Sequence, residues 1–355
     1  MNPLRPTLFA LLLAALFAAC AAPAPAPAAP PAAAGTLLLI GGGLDDDCRD
    51  VFTRLLALAA RPGPPHVVVV TAATGDQEDV WQGKLAALRT WAPTLPVEVV
   101  RRETPTAATV AAIDRATALL FTGGDQSRIT ARYRPDGADT PERQAMLRLL
   151  QRGGVVAGAS AGCAMQGERM LLGGDSTAAL GPEGPRVGPG MGFVTDLVTD
   201  SHFFERDRLG RLVAALEQSD TRLGIGVGED ACVEIDLGTG LLRGIGPRDS
   251  LLVDVGGLVR DGAHRRAVHA RCIGPDTVVD LRALAARQPQ PGARPAAAPV
   301  EQREVEPGQD RQLASWRLCR AAAHGPQALT LAGHRLVAWP AADGGVTLDV
   351  EVTEP

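Results

Sequence analysis

Residues 153–170 have the sequence Gly153-Gly-Val-Val-Ala-Gly-Ala-Ser-Ala-Gly-Cys-Ala-Met-Gln-Gly-Glu-Arg-Met170, in which a short apolar run ends at a turn of small residues. The run Val155–Ala157 suits a buried parallel strand, and the residues after the serine suit a helix that continues to Met170. Ser160 therefore stands at a strand-to-helix turn, which is the arrangement of a nucleophile elbow. The alternative is a Gly/Ala-rich turn that only packs tightly.

Backbone N–H groups beside this turn suit the binding of an oxyanion. The predicted helix begins at Ala161 and leaves its first N–H groups without helical acceptors. Gly123 and Gly124 follow another predicted strand and expose their backbone, because they have no side chains. We therefore expect an oxyanion hole formed by Gly124 and Ala161, although an ordinary tight turn at Gly124 is the alternative.

Buried apolar runs alternate with helical patterns over residues 35–275. The predicted strands are Thr36–Ile40, His66–Thr71, Val97–Val100, Ala118–Phe121, Val155–Ala157, Leu197–Thr199, Gly224–Val227 and Cys232–Ile235, and the predicted helices lie near 49–60, 77–91, 107–116 and 140–152. This order predicts an α/β fold with a mostly parallel, doubly wound sheet covered by helices on both faces. Functional groups should then collect at the carboxyl ends of the strands.

The N-terminal residues predict export. A single Arg5 precedes the apolar run at 8–19, and small residues stand directly before Cys20, as in a bacterial lipoprotein signal. We expect a signal peptide at 1–20, lipidation of Cys20, and an Ala/Pro linker at 21–34. The protein would then be a periplasmic or outer-membrane lipoprotein that touches the membrane only through its lipid. Plain secretion is the alternative.

Composition excludes several classes of partner and cofactor. A formal net charge of -5 and an aromatic content of 3% argue against nucleic-acid binding. The glycines at 41–43 lack the GxGxxG spacing and no GxxxxGK[ST] motif occurs, so we expect no nucleotide cofactor. No CxxC pattern predicts a metal site, and Cys272 with Cys319 is the first choice for a disulfide.

A serine nucleophile needs a base, and His202 is the best placed of the six histidines. It follows the predicted strand at 197–199 and precedes a helical pattern, so it lies at the same functional edge as Ser160. A surface or capping histidine is the alternative.

Four blocks of sequence together resemble the cyanophycinase family of serine peptidases, which are related to aspartyl dipeptidase (peptidase E). The blocks are Gly-Gly-Asp-Gln at 123–126, Gly-Ala-Ser-Ala-Gly at 158–162, Asp-Ser-His-Phe with Arg-Asp-Arg-Leu-Gly-Arg at 200–211, and Gly-Ile-Gly-Val-Gly-Glu at 224–229. The resemblance spans roughly 35–255 and implies a fold like that of the class I glutamine amidotransferases, which is flavodoxin-like.

The resemblance implies that Ser160 is the nucleophile and His202 the general base. It also implies a substrate pocket lined by Gln126, Asp200, Arg206, Arg208 and Arg211. Such a pocket suits β-aspartyl-arginine units, since a substrate carboxylate pairs with arginine and a substrate guanidinium with aspartate. A solvated basic helix face is the alternative for the arginines.

The acid that orients His202 is less explicit. The resemblance leads us to expect a glutamate eighteen residues after the serine, where this chain has Ala178. Asp175 is our first choice, and Glu229 is the second, with a contact to substrate as its other role. Glu183, water or a backbone carbonyl remain as further options. Ser201 also replaces the glutamine usual before the histidine, which leaves strict cyanophycin specificity open.

We therefore expect a catalytic domain at 35–280, followed by a linker and a small α+β appendage at 281–355. The linker is Gln288–Asp310, and the appendage has a helix near 312–324 and two strands over Leu329–Val352. The predicted activity is that of a serine exopeptidase acting on cyanophycin-like or aspartyl peptides. A catalytically silent binding lipoprotein for such peptides is the second hypothesis, and a homodimer is left open.

Overall fold

The computed structural model describes residues 35–44, 48–74, 78–287, 294, 299–302, 314–331 and 334–353. The predicted signal peptide, Cys20 and the linker at 21–34 lie outside these residues, as does most of 288–310. The described residues from 35 onward belong to one compact unit. Within the described ranges, no helix is long and apolar enough to cross a membrane.

The elements are numbered in chain order. The strands are β1 Thr36–Ile40, β2 Val67–Val70, β3 Val97–Val100, β4 Ala118–Phe121, β5 Val155–Ala159, β6 Arg169–Gly173, β7 Arg186–Pro189, β8 Leu197–Asp200, β9 Leu223–Val227, β10 Cys232–Asp236, β11 Leu241–Ile245, β12 Ser250–Asp254, β13 Val259–Asp261, β14 His264–Ile273, β15 Val278–Asp280, β16 Val300–Gln302, β17 Gln327–Leu331, β18 His334–Pro340 and β19 Val346–Val352. The helices are α1 Arg49–Ala59, α2 Glu78–Trp91, α3 Thr106–Arg115, α4 Gln126–Tyr133, α5 Pro141–Gln151, α6 Ala161–Ala164, α7 Ser176–Leu180, α8 Leu209–Gln218, α9 Leu281–Ala286 and α10 Ala314–Ala322.

The first sheet carries the nucleophile strand. Its strand order is β15-β11-β10-β1-β5-β4-β2-β3. The strands β1, β5, β4, β2 and β3 pair in parallel, and β10, β11 and β15 are added through antiparallel pairs. Successive residues of its strands point to opposite faces. Val67 and Val69 pack with α1 and α2, whereas Val68 and Val70 pack with α3, α4 and α5. The central strands are therefore apolar on both faces, as the sequence predicted.

A second sheet corrects the expectation of one mostly parallel sheet. Its strand order is β16-β17-β18-β19-β14-β12-β9-β8-β6-β7, with β13 paired to β14, and most of its pairs are antiparallel. The strands β8 and β9, which we expected in the same sheet as β5, lie in this sheet and pair in parallel with each other. A run of apolar residues predicts a buried strand but not its partner, and that explains the error.

The C-terminal strands extend the second sheet, because β19 pairs with β14 and β18 pairs with β19. The turn between β18 and β19 contains Asp343, as the sequence predicted, and β17 adds a strand that it did not predict. One face of the second sheet shares the core of the first, through Leu197, Ile225 and Leu252. The other face is covered by α8 and α10.

Two predictions of local structure are wrong, one of them directly after the serine. The helix after Ser160 ends at Ala164 rather than Met170, and β6 begins at Arg169. Met170 and Leu171 are buried on this strand, so the apolar spacing that suggested a helix came from a strand. The disulfide between Cys272 and Cys319 is also wrong: both are free thiols, with Cys319 buried and Cys272 half-buried in the layer between β14 and α10.

Candidate active site

Ser160 lies between β5 and α6 with a strained backbone, φ +53° and ψ -107°. Its N–H donates to the carbonyl of Ile40 at 3.0 Å, which ties the turn to the end of β1. The turn needs small residues, because a Cβ on Gly158 would lie 2.1 Å from the carbonyl oxygen of Gly162. A non-glycine residue held at positive φ is a sign of an imposed geometry. The sequence interpretation of an elbow is consistent with this geometry.

His202 follows a strand of the second sheet and lies within hydrogen-bond distance of Ser160, which follows a strand of the first. Its Nε2 lies 2.8 Å from Ser160 Oγ, and its Nδ1 lies 2.6 Å from Glu229 Oε1. The backbone of His202 is itself left-handed, at φ +46°, and its N–H donates to the carbonyl of Gly41 at 2.8 Å. These contacts join Ser160, His202 and Glu229 in one chain of hydrogen bonds, which is the arrangement of a serine–histidine–acid triad.

The glycine run at 41–43 makes room for this chain of contacts. A Cβ on Gly42, where φ is +100°, would lie 2.4 Å from both Cε1 and Nε2 of His202. A Cβ on Gly43, where φ is +55°, would lie 2.7 Å from the Glu229 carboxyl. The sequence excluded this run as a nucleotide loop, and the structure shows what it does instead: it allows the backbone to pass directly against the histidine and the glutamate.

Glu229, and not Asp175, accepts from the histidine. The carboxylate of Asp175 instead caps α7, where its Oδ1 accepts from the N–H of Ala178 at 2.8 Å. Glu183 is exposed in the following loop. Glu229 follows β9 at the carboxyl end of the strand, which is the signal that could have ranked it first.

The environment of His202 keeps its imidazole ready to accept a proton. Burial lowers the pKa of His202 below its ordinary 6.5, and the positive charges of Arg206 and Arg208 lower it further. The hydrogen bond to Glu229 opposes this by stabilising the imidazolium. The base is therefore neutral at neutral pH, and its charged form is stabilised by the adjacent carboxylate once it forms.

Gly124 and Ala161, the two residues expected to form the oxyanion hole, each adjoin a residue at Ser160: Gly123 is in contact with the serine, and Ala161 follows it in the chain. A Cβ on Gly123 would lie 3.2 Å from Ser160 Cβ, so the Gly123-Gly124 turn passes directly over the serine. Gly124, at φ +134°, is pressed against the carbonyl of Ala73, which accepts the next N–H at 3.0 Å. Ala161 is the first residue of α6, so its N–H has no acceptor within the helix.

Asp200 and Arg211 are not substrate-binding residues of the kind we expected. Both are buried, and Arg211 donates from Nε and Nη2 to the two oxygens of Asp200 at 2.8 and 2.6 Å. This bidentate pair fixes the end of β8 to α8 and satisfies both charges within the protein. Their position at the functional edge led us to expect a pocket role. Because both side chains are buried, we infer instead that they support the segment that carries His202.

The remaining predicted pocket residues, Gln126, Arg206 and Arg208, differ in whether their side chains bond to the protein or face solvent. Arg208 donates to the Ser201 carbonyl at 2.6 Å, and burial lowers its pKa to about 10, so it stays charged at neutral pH. Gln126 donates to the Leu171 carbonyl at 2.6 Å. Arg206 is exposed, and its charge is close enough to act on His202. Of the three predicted arginines, Arg206 is therefore the one with its guanidinium open to solvent beside the base.

Comparison with known proteins defines the class of this protein as a hydrolase, and specifically a peptidase. Residues 37–241, more than half of the chain, match peptidase family S51, and the chain belongs to that family. It is 33% identical over 174 residues to a cyanophycinase of Trichormus variabilis, covering 48% of this chain and 55% of the relative. A cyanophycinase of Geminocystis herdmanii is 36% identical over 121 residues, covering 34% of this chain and 43% of the relative.

The chain thus spans about half the length of the curated relatives it matches. Among solved structures, a peptidase from an acI-B1 Actinobacterium is similar with a TM-score of 0.52 and 18% identity, covering 69% of this chain and 96% of that one. At this identity the likeness supports the α/β fold alone.

Proposed function

We propose that the protein is a serine-type exopeptidase that hydrolyses cyanophycin-like (β-Asp-Arg) or aspartyl peptides through an acyl-enzyme on Ser160. The single observation that carries the proposal is the continuous chain from Ser160 Oγ to His202 Nε2 and from His202 Nδ1 to Glu229 Oε1, at 2.8 and 2.6 Å. The cyanophycinase relatives supply the substrate class.

In the proposed reaction Ser160 Oγ attacks the substrate carbonyl carbon while His202 Nε2 takes its proton. The N–H groups of Gly124 and Ala161 bind the oxyanion, and the imidazolium is stabilised by Glu229. The C–N bond then breaks, and His202 returns the proton to the leaving amine. Water, deprotonated by the same histidine, attacks the ester carbon; the ester C–O bond breaks, the acid is released, and Ser160 regains its proton.

Arg206 would bind the carboxylate of an aspartyl unit, because its guanidinium is exposed beside the base. A binding lipoprotein without activity was the second hypothesis, and it rested on a missing acid. The contact between Glu229 and His202 supplies a candidate for that acid, which supports the active enzyme over the silent alternative. Export with a lipid on Cys20 remains part of the proposal; Cys20→Ser should abolish incorporation of labelled fatty acid in a bacterial host.

The test compares the wild-type protein with Ser160→Ala on insoluble cyanophycin and on short aspartyl peptides. We expect soluble dipeptide and covalent labelling by a fluorophosphonate from the wild type, and neither from the variant. Glu183→Gln, an exposed change away from the serine, is the matched control and should retain both. Hydrolysis by folded Ser160→Ala would remove the serine from the mechanism.

A further inference from the structure

The segment formed by 314–331 and 334–352, here the C-terminal segment, lies beyond the residues that match the family but packs against the active-site segment. Leu318 and Leu336 belong to the same apolar cluster as Phe203 and Phe204, which directly follow the catalytic histidine. The back of the His202 loop is therefore covered by chain that the family match does not include.

One polar contact crosses this apolar layer. His334, the first residue of β18, is fully buried, and its Nε2 lies 3.5 Å from Oδ2 of Asp207. The two side chains are in polar contact, and among the described residues neither ring nitrogen of His334 makes a hydrogen bond, nor does Oδ1 of Asp207. Burying an imidazole and a carboxylate is unfavourable unless they interact with each other. The pair is therefore a specific contact and not filler of an apolar core.

Asp207 is a constrained point of the loop. Its backbone is left-handed at φ +46°, its N–H donates to the Phe204 carbonyl at 3.2 Å, and its own carbonyl accepts from Ser176 Oγ. A left-handed conformation is unfavourable for a residue other than glycine and persists only where neighbouring contacts impose it. The contact with His334 is the side-chain part of that restraint.

The restraint acts next to Arg206. The N–H of Arg206 donates to the His202 carbonyl at 3.2 Å, and Asp207 is the following residue, so Arg206 is held between the base and the restrained aspartate. We propose that His334 is a positioning residue: through Asp207 it sets the direction of the loop so that Arg206 meets the substrate carboxylate beside the triad. The inference rests on the proposed role of Arg206 in binding that carboxylate.

The test measures binding apart from catalysis. In a Ser160→Ala background, calorimetry with β-aspartyl-arginine gives a dissociation constant that does not depend on turnover. We expect His334→Leu to weaken binding about tenfold. In the active protein the same change should raise KM about tenfold, while kcat and the rate of fluorophosphonate labelling stay within about threefold. His334→Gln, which keeps a polar group facing Asp207, should restore most of the affinity.

Val337→Ala is the matched control, because Val337 is buried on the same strand but on the face away from the loop. It should lower thermal stability without changing KM. Combined with Arg206→Gln, His334→Leu should weaken binding no further, because both act through one guanidinium. If His334→Leu does not fold, Asp207→Asn provides the same test from the other partner.

Unchanged affinity in His334→Leu, or an equal loss in Val337→Ala, overturns the positioning role. If His334→Leu weakens binding as expected but the wild-type protein shows no hydrolysis that depends on Ser160, the proposed function alone is contradicted. An additive loss in the double variant with Arg206→Gln would assign His334 a purely structural role.

Discussion

A carboxylate that accepts from His202 Nδ1 fixes the tautomer of the imidazole. In this structure that carboxylate belongs to Glu229, whose Oε1 lies 2.6 Å from Nδ1. We predict that Glu229→Gln lowers kcat on the order of 10³- to 10⁴-fold, because an amide can donate to Nδ1 and hold the wrong tautomer. Asp175→Asn should change kcat by less than about threefold, because asparagine also caps a helix. Steady-state kinetics on one aspartyl peptide would measure both. A larger loss for Asp175→Asn would restore our first choice of acid.

The pH dependence follows from the pKa of the base. Burial lowers the pKa of His202 below 6.5, and catalysis needs the neutral imidazole, so the acid limb of kcat/KM should have its midpoint below pH 6.5. Arg206 contributes to the lowering, so Arg206→Gln should move that midpoint to higher pH. Arg61→Gln, an exposed change at the end of α1, should leave it in place. A midpoint that moves down in Arg206→Gln would contradict the assignment of His202 as the base.

At this scale the sequence singled out Ser160 and His202, which the structure brings to hydrogen-bond distance, but not the partners of the charged groups. Ser160 and His202 carry local signals, namely small neighbours at a turn and a position after a strand. Asp200 and Arg211 carry the same kind of positional signal, yet they neutralise each other in the interior. Which charges face substrate and which pair internally depends on burial, and spacing along the chain does not encode burial.

At the scale of elements, the loop after β1 can lie directly against His202 and Glu229 because its glycines have no Cβ atoms. We predict that Gly42→Ala lowers kcat on the order of 10²-fold or more, because the new methyl group would lie 2.4 Å from the His202 ring and displace it. Gly344→Ala is the matched control: its φ of +83° imposes similar backbone strain, but no atom lies within 4 Å. Both variants should lose stability, and only Gly42→Ala should lose activity and serine labelling. Equal kinetics in the two variants would show that the histidine tolerates a shift.

The sequence located most of the elements but not their assembly. The strands β1, β3 and β4 match the predicted bounds because they are short, rich in apolar residues and flanked by polar residues or turns. The helix α4 was missed, although Asp125 caps it and accepts from the N–H of Ser127. The placement of β8 and β9 in a second sheet depends on contacts between distant residues, and an apolar run carries no information about its partner.

At the scale of the whole molecule, the active site is a junction between two sheets. Ser160 follows β5 in the first sheet, whereas His202 and Glu229 follow β8 and β9 in the second. The two sheets share one apolar core, which includes Val156 and Ile225. The distance between Oγ and Nε2 is therefore set by the packing of one sheet against the other, and no single element carries a complete site.

The C-terminal strands are part of that packing although they lie outside the family match. Leu336 and Leu348 extend the apolar face to which Leu251 and Val268 belong, Leu318 of α10 lies in the same apolar cluster, and β19 occupies the edge that β14 would otherwise expose. We predict that deletion of 299–355 yields aggregated protein and not a smaller active peptidase, because it uncovers an apolar face and a long strand edge together.

Solubility on expression, circular dichroism and fluorophosphonate labelling would measure the outcome of this deletion. Deletion of 353–355 alone is the control and should leave all three unchanged, because β19 ends at Val352. A soluble, folded and labelled protein ending at 298 would show that the first sheet with β6–β9 and β12 holds the triad unaided. In that case the contact between His334 and Asp207 could adjust substrate affinity, but the C-terminal strands would not be needed for the fold.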